Sequence, residues 1–143
     1  MNFFMNMIPP TATHQQKKIS RSKTGRPVVY EPYRVKDARD KLMSALWKER
    51  PDRPYLGPVM LKVMWLFPAG RHKNGDWKIT RPDTDNLQKL LKDCMTDCEF
   101  WEDDAQVCVE HVEKRWSDYP GIWIQLNGLT CVNEDPVDEV KEI

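Results

Sequence analysis

Residues 58–67 read PVMLKVMWLF, an apolar run rich in strand formers and interrupted only by Lys62. Such a run predicts a central strand of a sheet. Residues 68–82, PAGRHKNGDWKITRP, follow as a glycine-punctuated loop carrying Arg71, His72, Lys73, Lys78 and Arg81. That loop reads either as a basic hairpin tracking a phosphate backbone or as an ordinary solvated loop. Asp85-Asn86-Leu87-Gln88 then matches a capping box, with Asp85 at the N-cap and Gln88 three residues on. Leu87, Leu90, Leu91, Cys94, Met95 and Cys98 recur at helical spacing and predict one apolar face turned to a core. A short turn with Phe100, Trp101, Asp103 and Asp104 leads to a strand near Gln106–Trp116, and Pro120-Gly121 turns the chain into a last strand, Ile122–Leu126.

Upstream, Pro32 precedes a helical stretch of about fifteen residues, in which Val35, Ala38, Leu42, Ala45 and Leu46 repeat at near-helical spacing. Pro51 and Pro54 stop it. Residues 11–26 are polar and basic and read as a loop or mobile arm. These elements predict the α+β class: a single domain over residues 1–130, with helices packed on a mixed sheet. Residues 131–143 read as an acidic, disordered tail.

The chain has 143 residues, enough for one hydrophobic core. Its 22 Lys and Arg balance 22 Asp and Glu, which argues against a simple basic DNA-coating protein. The charge is polarised, however. The first thirty residues hold Lys17, Lys18, Arg21, Lys23 and Arg26 and no acid, whereas Glu134, Asp135, Asp138, Glu139 and Glu142 face only Lys141 at the end. The basic arm can supply phosphate contacts, or it can simply be a soluble extension. Of the six tryptophans most belong in a core, and one or two exposed rings near basic residues would suit nucleotide stacking.

The opening residues lack a basic n-region and a sustained apolar core, and no run approaches the roughly 20 apolar residues that span a bilayer. The expectation is a cytoplasmic protein with no membrane partner, whose Cys94, Cys98, Cys108 and Cys131 are reduced. Cys94 and Cys98 lie on one helix face with His111 following, but there is no paired knuckle with structural-zinc spacing, so core thiols are the favoured reading.

The residues that could carry chemistry are acids. Asp83 and Asp85 sit where a loop enters a helix, and Asp103 and Asp104 sit where a turn enters a strand. A strand returning beside the helix start could bring the two pairs together. Clustered carboxylates repel one another unless a cation lies between them, and oxygen-only ligands favour Mg²⁺ or Mn²⁺. Lys89, one turn beyond Asp85, would point the same way and could meet a phosphate. Each acid also has a plain structural reading: Asp85 as a cap, Asp83 as a favourable charge at the helix N-terminus, Asp103 and Asp104 as turn residues.

RPDTDNLQKLLKD (residues 81–93) followed by FWEDDAQV (residues 100–107) resembles the RusA-type Holliday junction resolvases, metal-dependent endonucleases often encoded by phages and prophages. IPPTATHQQKK near the start, VEKRW and GIWIQL extend the resemblance over roughly residues 7–128. The resemblance implies a RusA-like fold in which Asp83, Asp85 and Asp104 hold Mg²⁺, with Mn²⁺ as a substitute, and Lys89 is needed for cleavage. Asp103 matches an adjacent acid and is a further possible metal ligand. It also implies a homodimer in the bacterial host cytoplasm that resolves four-way junctions by paired symmetric nicks, in DNA recombination and repair. The basic arm (Lys17, Lys18, Arg21, Lys23) and the loop (Arg71, Lys73, Lys78, Arg81) would then bind DNA phosphates. A non-cleaving junction-binding module is the alternative, and an interaction protein whose aspartates are only caps and turns is a third.

Overall fold

A computed structural model describes residues 1–13, 18–21, 25, 27–30 and 33–130. The run at 58–67 forms strand β4 (Val59–Pro68), with Val59, Leu61, Val63, Trp65 and Phe67 buried on one face. Helix α1 (Tyr33–Glu49) precedes it and buries Val35, Ala38, Leu42 and Leu46. Helix α2 (Thr84–Asp97) follows it, and the chain then returns as β5 (Val107–Ser117), parallel to β4. A parallel neighbour requires a crossover, and α2 supplies it. Strand β6 (Gly121–Gly128) pairs antiparallel with the other side of β4, and β1 (Asn2–Met5) adds antiparallel to β6. The four-stranded sheet thus has the order β1-β6-β4-β5. Helix faces and the inward rows of β1, β4 and β6 share a single core built around Trp65, Phe100 and Trp101. The α+β expectation holds: two helices pack on a mixed sheet.

Three local expectations change. The stretch 11–26 contains strand β2 (Lys18–Arg21), which pairs antiparallel with β3 (Pro27–Tyr30). The polar composition hid a short β-ribbon whose second strand is Val-Val-Tyr; Gly25, at φ 82°, lies between the two strands in the left-handed region that glycine tolerates. Lys18 and Arg21 therefore belong to β2. Lys17, Lys23 and the acidic tail 131–143 lie outside the described residues. Strand β1 was not foreseen, because four residues are too few to show alternation. It matters for packing: Gly121 leaves room at the β1–β6 edge, where a Cβ would run into the Phe4 ring and stand 2.8 Å from the Met5 carbonyl oxygen.

The third change concerns capping. Helix α2 begins two residues earlier than expected, at Thr84, so Asp83 takes the N-cap position and Asp85 falls in the first turn. Gln88 is no cap partner. It is buried, accepting a hydrogen bond from Trp65 Nε1 at 2.7 Å and donating to Glu110 Oε2 at 2.6 Å. One side chain of α2 thereby ties both β4 and β5. The capping box lies instead at a one-turn 3-10 helix, Asp104–Gln106: Asp103 accepts from Ala105 N at 2.9 Å, and Gln106 Oε1 accepts from the Asp103 amide at 3.1 Å. Gln106 Nε2 also donates to the Tyr55 and Gly57 carbonyls, fixing this turn to the loop before β4.

Two outcomes follow in urea unfolding. Gln88→Leu strands the buried Trp65 N–H and should cost about 1–3 kcal/mol, part of which returns in the double variant with Trp65→Phe. Asp103→Ala should cost about 1 kcal/mol through the lost cap. Asp104→Ala, whose carboxylate serves no described hydrogen bond, should stay within about 0.5 kcal/mol of the parent.

Candidate active site

The loop read as a basic hairpin is a strap along the outer edge of β5. Trp77 bridges to Arg115, Gly75 N donates to Trp116 O at 2.8 Å, and Trp116 N donates back to Asp76 O at 2.9 Å. His72 stacks flat on Trp116 at 3.9 Å, and the Arg115 guanidinium lies 3.6 Å from the centre of the exposed Trp77 ring. An edge strand left bare would invite pairing with other chains, and the strap covers the last residues of this one, Lys114 to Ser117. Arg71, Lys73 and Arg81 project from it into solvent. Lys78 does not, and its assignment to phosphate contact is corrected here. It is only 7% exposed, with its ammonium donating to Thr80 Oγ1 at 2.5 Å and to Arg81 O at 2.7 Å beside the Trp116 ring. Burial and then the charge of Lys114 push its pKa below the ordinary lysine value.

The strap delivers the chain to Asp83. Asp83 has extended backbone angles, φ −73° and ψ 150°, and its carboxylate makes no capping bond. With Asp85, Thr11, Thr13, Arg81 and Asn86 it lines an open hollow of about 490 Å³ at the start of α2. Asp85 also borders the adjoining hollow with Gln88, Lys89 and Glu110, and Lys89 borders the next one with Arg39, Asp93, Asp97, Asp103 and Asp104. The four residues singled out in the sequence therefore lie on one continuous strip along α2.

They are not gathered into one cluster. Asp103 and Asp104 were expected beside the helix start, and they lie alongside its second half. The parallel β4–β5 pairing explains this: α2 runs back against both strands, so the beginning of β5 meets the end of the helix. The β5 residue that reaches the start of α2 is Lys114, whose ammonium donates to Pro82 O at 2.7 Å. Among the described residues no three His, Cys, Asp or Glu side chains are grouped to hold one ion. The donor chemistry nonetheless suits a hard cation. Asp83 and Asp85 share a hollow and face solvent, and their carboxylates have no hydrogen-bond or ion-pair partner among the described residues. Mg²⁺ keeps several waters and needs only one or two carboxylates besides substrate oxygens.

Lys89 is exposed and paired with Asp93 at 3.2 Å, one turn along the helix. That hydrogen bond, then the charge of Asp93, and beyond it the charge of Asp104, raise its pKa, so it carries a full positive charge. A surface pair of this kind is worth only about 0–1 kcal/mol, so a phosphate can displace it readily. Asp93 closes the quoted 81–93 stretch without a role assigned to it, and Glu110 lies in no motif; both are found only once the helix and β5 are placed. Cys94 and Cys98 are buried, with the Cys94 thiol pushed up to about 12 by desolvation, which removes the zinc reading for them. Cys108 is exposed, against the expectation of a core thiol, because it lies on the edge strand. His111 pairs with Glu113 at 2.7 Å on the surface of β5. Among the described residues no helix is long and apolar enough to cross a membrane.

Comparison with known proteins agrees with the motif reading. Residues 8–127 match the family described as endodeoxyribonuclease RusA. A relative from Lactococcus phage r1t, named crossover junction endodeoxyribonuclease rusA, is 34% identical over 108 residues, covering 73% of this chain and 79% of its own length. The strip, the strap, β4 and β5 lie within the matched span, and the chain belongs to the RusA family of endodeoxyribonucleases.

Proposed function

We propose that this endonuclease cuts four-way DNA junctions, using a divalent metal held by Asp83 and Asp85 with Asp104 as the third acid of the strip. The observation that carries the reading is the pair of carboxylates at the start of α2 that have no partner among the described residues, with Lys89 one turn beyond. A DNA enzyme has no electrostatic use for bare acids facing phosphates unless a cation stands between them. Mg²⁺ suits an all-oxygen donor set, with Mn²⁺ as a substitute. When bound, such an ion activates a water and neutralises the charge that builds on the phosphodiester during in-line attack.

The chain's own residues do the rest. Lys89 leaves Asp93 for the scissile phosphate and holds positive charge where negative charge develops. Arg81 lines the same hollow as Asp83 and Asp85 and steadies a neighbouring phosphate. Arg71 and Lys73 extend the positive surface along the strap, with Lys18 and Arg21 of β2 as further contacts; these position the DNA and read little sequence. Lys78 has no part in this, since its charge points inward. A homodimer fits the substrate, because a two-fold assembly presents two identical strips to the two equivalent strands of a junction. Paired nicks and a place in recombination and repair, in the cytoplasm of a phage's host, follow from that reading.

Asp83→Asn and Asp85→Asn should each lower cleavage of a synthetic four-way junction in Mg²⁺ by at least about 10²-fold, with junction binding retained in gel-shift assays. Lys89→Ala should lose rate far more than binding. Cleavage by Asp83→Asn at the parent rate would sink the assignment.

A further inference from the structure

We infer that Lys78 and Lys114 are positioning residues for Asp83: together they hold the carbonyls of residues 80, 81 and 82 and so fix the segment that presents its carboxylate. Lys114 donates to Thr80 O and to Pro82 O, both at 2.7 Å. Lys78 donates to Thr80 Oγ1 at 2.5 Å and to Arg81 O at 2.7 Å. Three successive carbonyls immediately before Asp83 are thus claimed by two ammonium groups from two different elements, the strap and β5.

The arrangement is costly for a purely structural role. Burial lowers the pKa of both lysines, and the like charge of Lys114 lowers that of Lys78 further. Among the described residues neither forms an ion pair with a carboxylate, so neutral carbonyls and the Thr80 hydroxyl are their main partners. A neutral side chain could fill that space at smaller desolvation cost. What ammonium groups add is several strong, charge-assisted bonds radiating from one point, together with a charge that Asp83 senses from outside. Shells of this kind around metal-binding carboxylates set ligand orientation, and altering them commonly weakens metal affinity or activity by about 10–100-fold.

The inference rests on the proposed role of Asp83, and its test separates the two. Hydrogen exchange of the apo protein comes first: Lys114→Met should speed exchange of the amides at 87–90, the first hydrogen-bonded turn of α2 and the one anchored on the Asp83 carbonyl, about tenfold or more while leaving those in α1 unchanged. Lys114→Arg should restore slow exchange. If Lys114→Met does not fold cooperatively, Lys114→Gln carries the same comparison. Exchange at parent rates overturns the inference whatever the enzyme does. In junction cleavage, Lys114→Met should raise the half-saturating Mg²⁺ concentration about tenfold, with junction binding in the absence of metal unchanged. A fall in that concentration would mean that the lysine acts only by repelling the cation, and it would overturn the positioning role, as would no change. Should Asp83→Asn prove fully active, the proposed function fails, and the exchange result still decides whether the two lysines order this segment.

Discussion

Gln88 is the joint on which the site depends. It leaves α2 between Asp85 and Lys89, enters the core, and bonds the indole of Trp65 on β4 and the carboxylate of Glu110 on β5. A buried amide is tolerated only when its donors and acceptor are matched, and both arms of Gln88 are. The consequence is rotational: with Gln88 pinned inward, Asp85 and Lys89 are held on the flank of the helix that opens toward solvent. Lys92 reinforces this from the same helix by pairing with Glu110 at 3.1 Å. Gln88 therefore ties α2, and the candidate strip it carries, to both β4 and β5.

Much of this was legible in the sequence, and the reasons are physical. Strand β4 announces itself because a central strand is buried and must be apolar throughout most of its length. Helix α2 does so because its buried face repeats at helical spacing. The short elements did not show: β1 spans four residues, and β2 sits in a stretch whose polar composition resembles a loop. Gln88 and Asp85 fit the capping-box pattern, yet a four-residue pattern cannot tell whether a glutamine folds back to its own helix or reaches across to a sheet. The true box, Asp103 to Gln106, has the same spacing and sat unread beside the motif residues.

The site was legible as a set of residues and only partly as a geometry. Spacing alone could not decide where along α2 the second acid pair would land; that depended on β5 running parallel to β4. Charge was harder still. Lys78 looked like any other basic residue of its loop, and only burial against Phe67 and Trp116 shows that its ammonium faces the backbone before Asp83. The exact balance of 22 basic and 22 acidic residues hides a local sorting, with bare acids at the start of α2 and bare cations along the strap. That sorting suits a polyanion brought against a metal-bearing strip.

The central claim is that the strip cuts branched DNA through a divalent ion. It is tested most directly by incubating the unaltered protein with end-labelled four-way junction and with duplex of the same sequence, in Mg²⁺ and in EDTA, and mapping every nick. The proposed function predicts nicks in Mg²⁺ only, on the junction far more than on the duplex, and at symmetric positions on two opposed strands. Cleavage that persists in EDTA, or that falls equally on duplex and junction, would contradict it.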